Sequence, residues 1–261
     1  MLRKNIVLIL LFAGLLMTSC DRLITIPAGY LDTRNFNVGT FNAIEAHNAI
    51  DVVYCDVDQI VVTTDANALD KIIVKLDGQT LVLRYPPRWR SLGETRVLVP
   101  RQNFLHDVEL SGASSFISDS CLVADEFDLE LSGASTFSAP LSARKLDMDL
   151  SGASTVNSAL SVSDELDVHA SGASNLNLFG QAPRLDVELS GASSISTTKS
   201  NGSYNFASNH VEGEISGASM MRFHCDGSIR CSLSGGSEIF YTGTATTIGS
   251  NCSGGSNINH E

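Results

Sequence analysis

The sequence has only one long hydrophobic run, few basic side chains and none of the spaced cysteines or histidines of a metal site. Its 261 residues carry 29 acidic against 17 basic side chains, which disfavours nucleic acid as a partner because phosphates require a basic surface. No Cys-x-x-Cys motif occurs, and the six histidines are scattered, so a zinc site has no support. The 3.6-residue periodicity of amphipathic helices is also missing, which excludes a helical repeat protein. At 43% hydrophobic residues, the chain still has enough apolar side chains to fold.

The one long apolar run, residues 6–17, follows two basic residues and is typical of an export signal. It is too short to span a bilayer, which needs about 20 residues. The run ends in Leu-Leu-Met-Thr-Ser-Cys, which resembles the bacterial lipobox, although Met17 stands where Leu is usual. We therefore predict a signal peptide at 1–19, lipidation of Cys20 and a lipid-anchored linker at 20–35. The mature protein is then expected outside the cytoplasm, anchored in the outer membrane.

A short internal repeat dominates the rest of the chain. Successive copies of Ser-Gly-Ala-Ser or Ser-Gly-Gly-Ser are separated by 21, 19, 20, 19, 26, 18 and 19 residues. A strict apolar/polar alternation such as Leu-Asp-Val-Glu-Leu precedes most copies, which predicts a half-buried strand. The 26-residue interval predicts a protruding loop around Lys199 to Asn209. The copies begin at Ser111, Ser132, Ser151, Ser171, Ser190, Ser216, Ser234 and Ser253.

A unit of about 20 residues cannot bury its apolar face alone, so the units must stack on one another. We predict an all-β fold, a right-handed parallel β-helix at 105–261, with Leu131, Leu150 and Leu189 in one interior file. Alternating Val- and Ile-rich segments predict an N-terminal β cap at 36–104, continuous with the repeats. Each repeat glycine is expected either to take a positive φ at a corner or to allow close approach of neighbouring coils. The flanking serines are expected to stack into ladders, with each hydroxyl bonding backbone or the hydroxyl above and below. No Gly-x-Ser-x-Gly elbow occurs, so a catalytic serine is not expected.

The order of the motifs along the chain carries a family resemblance. A Phe-x-x-Ile strand, Val-rich strands, the Leu-rich stretch Leu69 to Leu83, a strand ending in Val-Pro and the Ser-Gly-Ala-Ser units follow the lipobox. This order resembles the putative auto-transporter adhesin, head GIN domain family over Phe36 to Ile258. The resemblance implies a β-helical lipoprotein or secreted protein of bacteria, mostly of the Bacteroidetes type, with no established activity. It brings no catalytic residues with it.

The negative charge is concentrated in the repeats. Residues 105–261 hold 19 acidic and 6 basic side chains, whereas 21–104 hold 10 and 9. If the units stack, the outward-facing positions of the strands form two acidic columns. Three interpretations of these columns stay open: a solvated face, a calcium-binding face, or a paired-carboxylate glycosidase site. The calcium interpretation is the one that implies a cofactor, and it names four candidate ligands in the first column. They are Asp128, Asp147, Asp167 and Asp186.

A basic cluster surrounds the single tryptophan. Arg88, Trp89 and Arg90 form a candidate ligand-binding site, because an exposed Trp flanked by Arg suits a sugar ring or an acidic partner. The structural alternative is a prolyl connection whose Trp folds back over the first coil. Among the cysteines, Cys231 is expected to be a small buried hydrophobe, and any disulfide pairing stays open.

Together these features predict a non-catalytic lipoprotein of the cell envelope, an adhesin or a binding or scaffold protein. Its expected partners are the membrane, through the lipid anchor, and a glycan or an envelope protein. The alternative is a carbohydrate-active enzyme, a polysaccharide hydrolase or lyase, on the same fold. A third interpretation is a purely structural partner of another envelope protein.

Overall fold

The computed structural model describes residues 24–248 and 250–261, so the predicted signal peptide at 1–19 and Cys20 lie outside the described residues. Within these ranges the chain forms 26 strands and one helix of four residues. No helix in the described part of the chain has the length and apolar character needed to cross a membrane. The protein is therefore all-β, as the sequence predicts.

The N-terminal part contains nine strands and the helix. Most of these strands alternate buried and more exposed positions, as Val- and Ile-rich segments do when one face is covered. They are β1 Ile24–Ile26, β2 Leu31–Phe36, β3 Ala43–Ala46, β4 Ile50–Cys55, β5 Ile60–Asp65, α1 Ala66–Leu69, β6 Ile73–Asp77, β7 Thr80–Arg84, β8 Trp89–Ser91 and β9 Thr95–Pro100.

The repeats supply the remaining strands. Several of these strands are long: they form one side of a repeat unit and continue, without a break in the strand, onto the next side of the same unit. They are β10 Asp107–Leu110, β11 Ser115–Ile117, β12 Leu122–Leu131, β13 Thr136–Ser138, β14 Leu141–Leu150, β15 Thr155–Ala170, β16 Asn175–Gln181, β17 Arg184–Leu189, β18 Ser194–Ser196, β19 Lys199–Ser200, β20 Ser203–Tyr204, β21 Phe206–Ile215, β22 Met220–Leu233, β23 Glu238–Thr242, β24 Thr246–Thr247, β25 Asn251–Cys252 and β26 Asn257–His260.

Successive repeats pair in parallel and in register. Leu131 pairs with Leu150, Leu150 with Ala170, and Ala170 with Leu189, and all four side chains are buried. The predicted interior file is therefore confirmed. The strands after each corner form a second parallel series with its own buried file, because equivalent apolar residues of consecutive units lie over one another. In that file the ring of Phe116 stacks on the ring of Phe137, with centroids 5.2 Å apart.

The tetrapeptide corners hold the units together through backbone contacts. Each repeat glycine has a φ between +63° and +78°, and a Cβ on Gly152 would come within 2.3 Å of the Gly133 carbonyl oxygen. The last serine of each tetrapeptide is buried, and its hydroxyl donates to the carbonyl of the first serine at 2.6 to 2.9 Å. Of the two predicted kinds of partner, these serines use the backbone, because a local turn satisfies each hydroxyl within its own unit.

Two strands of the N-terminal part pair with strands of the first repeat. β3 pairs in parallel with β10, and β4 pairs in parallel with β11, so residues 43–55 form a first coil without the tetrapeptide. Asn48 and Ala49 take the positive φ values that glycine supplies elsewhere. Beyond this coil the pairing turns antiparallel, β2 with β5 and β6 with β7. Residues 31–36 of the chain, which overlap the predicted linker, are therefore a paired strand of the cap, and β1 likewise pairs with β8.

The five cysteines in the described part of the chain are free. Cys231 is 1% exposed and replaces an aliphatic residue of the interior, as expected of a small hydrophobe. Burial raises the pKa of its thiol to about 12, so the group stays protonated.

Candidate functional site

Two columns of acidic side chains run along the outer face of the first parallel series. Parallel register pairs Asp107 with Asp128, and Glu109 with Glu130, and the same two positions continue through later units. Neighbouring strands lie about 4.8 Å apart, so like charges face one another along both columns. The predicted columns are thus present. The first consists of Asp107, Asp128, Asp147, Asp167, Asp186 and Glu212, and the second of Glu45, Glu109, Glu130, Asp149, His169, Glu188 and Glu214.

A neighbouring column on the same strands is balanced in charge. There Glu126 pairs with Lys145, Lys145 with Glu165, and Glu165 with Arg184. The Lys145 ammonium lies 2.7 Å from the Glu165 carboxylate, and the Arg144 guanidinium lies 2.6 Å from Glu126. The same scaffold therefore accommodates alternating charges close beside the acidic columns. Cationic partners reach the acidic columns mainly at their ends, where Arg230 lies 2.7 Å from Glu212 and His47 lies 2.5 Å from Glu45.

The columns hold their charge at an electrostatic cost. Partial burial, followed by the Asp128 carboxylate, raises the pKa of Asp107, and partial burial with Asp167 does the same for Asp147. The one base within the second column is His169, whose ring nitrogens lie 3.2 Å from Asp167 and 3.3 Å from Glu188. Partial burial lowers the pKa of His169, but the surrounding carboxylates outweigh it and raise the pKa overall.

The second column borders a groove that follows the long axis of the stack. The groove has a volume of about 380 Å³, with carboxylates along one wall and serine hydroxyls along the other. The serines are the first residues of the tetrapeptides, whose corner geometry places them beside the strand ends. An elongated surface of this polarity suits hydrogen bonding to a polar, cationic ligand. We call it the acidic groove; its serine wall is formed by Ser132, Ser151, Ser171, Ser190 and Ser216.

The structure places the four candidate calcium ligands, Asp128, Asp147, Asp167 and Asp186, consecutively in the first column. Across the described ranges no group of three or more His, Cys, Asp or Glu side chains is arranged to hold a metal ion. Calcium binding by this face stays a prediction.

The tryptophan cluster lies at the opposite end of the molecule from β26, on β8. Trp89 is half-buried and packs against the core, with the Lys71 ammonium 5.4 Å from its ring centroid. Arg88 and Arg90 on either side are exposed. The folded-back Trp is therefore what the structure shows, and ligand binding by these three residues stays a prediction.

Sequence reasoning missed a polar cluster beside the long repeat unit. The loop expected around Lys199 to Asn209 contains a short hairpin, β19 with β20, which brings the Ser203 hydroxyl within 3.0 Å of His224 Nδ1. The other ring nitrogen lies 3.0 Å from Asp226. The Thr242 hydroxyl lies 3.1 Å from the same Nδ1 as Ser203, so two hydroxyls share one ring nitrogen. Only the hairpin's tertiary position brings these groups together.

The comparisons with known proteins agree with this architecture. The model of a family described as putative auto-transporter adhesin, head GIN domain, matches residues 40–245. A putative adhesin from Parabacteroides merdae superposes with a TM-score of 0.77 at 20% identity, covering 91% of this chain and 99% of that one. A putative adhesin and a putative lipid binding protein, both from Parabacteroides distasonis, each give 0.77 at 17% identity, covering 91% of this chain and all of theirs. No curated protein matches.

Proposed function

Because the chain belongs to the putative auto-transporter adhesin, head GIN domain family, we propose that it is a non-catalytic binding protein of the bacterial cell envelope. The observation that carries the proposal is the acidic groove, a continuous polar surface along the stack. A binding role uses a long repeated surface, whereas catalysis needs one privileged set of groups. The acids recur as regularly as the core does, which favours binding over the glycosidase alternative.

The proposed anchor is a lipid on Cys20, after removal of residues 1–19. The lipobox-like ending of the signal supports it, and so does the family's description as adhesins. On this basis the protein stands outside the cytoplasm, on the outer membrane. We further propose that residues 36–104 and 105–261 form one body and that the parallel coils wind as a right-handed β-helix. The in-register parallel pairing and the general handedness of parallel crossovers support this winding.

The proposed partner of the acidic groove is a basic surface of an envelope protein or a glycan carrying cationic groups. Charge complementarity supports this choice, because carboxylates repeat along the groove and the balanced column beside it does not share their sign. One relative is described as a putative lipid binding protein. Here the interior is filled by stacked buried side chains, so a lipid would meet this protein at its surface.

The test is a binding screen of the unlipidated protein against a glycan array and purified envelope proteins. A triple variant, Glu130→Gln, Asp149→Asn and Glu188→Gln, removes three charges from the groove wall. We expect at least a tenfold loss of affinity for a groove ligand, with strong salt dependence.

The matched control removes three charges from the balanced column and its neighbour: Glu126→Gln, Asp164→Asn and Glu165→Gln. It should leave affinity within about twofold, because these carboxylates are already paired with Arg or Lys. Equal losses in both variants, or no ligand at all in the screen, would contradict the proposed role of the groove.

A further inference from the structure

Exposed apolar side chains gather at the N-terminal end of the molecule. Tyr30 is 75% exposed, Leu31 63% and Leu92 56%, and Ile24 is exposed as well. Monomeric soluble proteins bury most large apolar side chains, and a local concentration of exposed ones marks an interaction surface. Leu92 is far from the other three residues in sequence, so the fold has to bring the two segments together.

One buried carboxylate ties the two segments to each other. Asp65 is 3% exposed and accepts a hydrogen bond from the Gly29 amide at 2.8 Å and another from the Ser91 hydroxyl at 3.4 Å. Gly29 directly precedes Tyr30, and Ser91 directly precedes Leu92. The backbone next to both exposed residues is therefore held at the same buried carboxylate.

The pairing of β1 with β8 adds the tryptophan cluster to the same end. Ile24 is paired with Trp89, and Thr25 with Arg90. Residues on adjacent positions of paired strands share a face, so Ile24 lies beside Trp89, while Arg90 points to the other side of this two-stranded sheet. An amphipathic aromatic ring with exposed aliphatic and Arg side chains is the composition found at membrane–water interfaces.

We propose that this tip surface, formed by Ile24, Tyr30, Leu31, Trp89 and Leu92 with Arg88, and flanked by Arg90 on the opposite side of the β1–β8 sheet, rests on the bilayer that holds the lipid anchor. This inference rests on the proposed lipidation of Cys20. Ile24 follows Cys20 by four residues, a span of at most about 14 Å, so the anchor keeps the tip surface at the headgroup level. The acyl chains on Cys20 hold the protein at the bilayer, and apolar and basic side chains of the tip surface add contacts of their own there.

The charge distribution fixes the orientation. Residues 105–261 carry 19 acidic and 6 basic side chains, whereas residues 21–104 are nearly balanced at 10 and 9. Anionic lipid repels the acidic repeats and tolerates the N-terminal end. The stack is thus held away from the membrane with the acidic groove open to solvent.

The single tryptophan makes the contact directly measurable, because Trp89 lies within the tip surface. The mature chain with Cys20→Ser, which cannot be lipidated, is mixed with vesicles of phosphatidylethanolamine and phosphatidylglycerol in about a threefold excess of the first, so that anionic lipid is present. We expect flotation with the vesicles, a blue shift of Trp89 emission and quenching by brominated acyl chains. The double variant Tyr30→Ser and Leu92→Ser should lower vesicle partitioning by about tenfold or more.

The control is Ile117→Ser with Val123→Ser, two exposed apolar residues of the repeats, which should leave partitioning unchanged. Circular dichroism melts confirm that each variant is folded. Absence of flotation and of any Trp89 shift would overturn the proposal, as would equal losses in both double variants. The proposal would also be overturned if the unlipidated protein self-associates without binding vesicles and the tip variant abolishes this self-association. That result would assign the tip surface to contact with a second copy of the chain. Lipid labelling of Cys20 in cells is measured separately. If the protein is lipidated but its tip surface does not bind vesicles, only this inference is rejected and the proposed lipid anchor stands.

Discussion

At the scale of single residues, the glycine of each tetrapeptide meets two separate requirements. Gly152 has a φ of +75°, which a side chain rarely adopts, and its Cα faces the Gly133 carbonyl of the preceding unit. Because the same contact recurs from unit to unit, the glycines form a file in which backbone touches backbone. The close approach lets the Ala153 amide donate to the Gly133 carbonyl at 2.7 Å.

Replacing Gly152 by Val is expected to lower the free energy of unfolding by about 3 kcal/mol or more, since backbone strain and a steric clash act together. Urea or thermal melts of the two proteins measure the effect. Gly78→Val is the matched control, because Gly78 has a φ of +63° but no other atom lies within 4 Å of the place that a Cβ would take. It should lose only about 1 to 2 kcal/mol. Equal losses would show that strain alone, not stacking, explains the repeat glycines.

At the scale of elements, the acidic side chains on the outer face of the strands repel one another and lower the stability of the stack. Hydrogen bonding and apolar burial force equivalent carboxylates into register, and Lys and Arg relieve this along the balanced column, whereas in the acidic columns Arg230 does so at Glu212. The acidic columns keep their repulsion, which together with partial burial raises the pKa of several members above the ordinary carboxyl value. A surface retained at such a cost is consistent with a binding role.

The sign of the pH dependence follows from these shifts. Carboxyls with a raised pKa, such as Asp107 and Asp147, hold protons in the folded state that the unfolded chain has released, so stability falls as the pH rises past about 4. His169 also has a raised pKa, and its contribution is present below about pH 6.5 and lost as the pH rises above its folded value. His169 therefore predicts a melting temperature that rises as the pH is lowered from about 8 to about 6.5, and the carboxyls predict a further rise as the pH approaches about 4.

Below about pH 4 the trend should reverse, because the pKa values of Asp226 and Glu261 are lowered by hydrogen bonds and these groups lose stabilising contacts when protonated. Melting curves across the range measure the profile. The double variant Asp147→Asn and Asp167→Asn should flatten the rise that occurs as the pH is lowered towards about 4. A profile identical to that of the wild type would contradict the assignment to the acidic columns.

At the scale of the whole molecule, each repeat pairs its strands with those of the units before and after it, and the β19–β20 hairpin reaches further, to Thr242 and Glu261. Parallel pairing joins consecutive units throughout the repeats, so stability is close to a sum of unit and interface contributions. The antiparallel strands β2 and β6 cover the N-terminal end of the stack. An edge covered in this way is protected from further pairing.

Removing two whole units should therefore leave a folded protein. Deleting Ser132 to Ala170 joins Leu131 to Ser171, places Leu189 over Leu131 and sets Glu126 opposite Arg184, which preserves both the interior file and the balanced column. We expect a cooperative melt at a lower temperature and an unchanged strand signal in circular dichroism. Deleting only Ser161 to Ala170 removes part of one lap and should abolish the cooperative melt. If the two-unit deletion is unfolded, the repeat is not the unit of stability.

The sequence by itself determined the repeat, its corners, the interior file and the acidic columns. These features are local and periodic: an alternation of five residues selects the buried face, and a glycine every 20 residues or so marks the corner. Once the units stack, register follows from burial, because a slip by one residue would expose Leu150 and bury Asp149.

Only the tertiary structure decided what lies outside the period. The corner of the first coil is formed by Asn48 and Ala49 in place of glycine, so the sequence motif that marks the other corners does not predict this one. Asp65 unites the tip surface, and the hairpin near Ser203 reaches His224, through contacts between distant segments. Such contacts depend on which surfaces the completed stack leaves uncovered, and no local propensity encodes that.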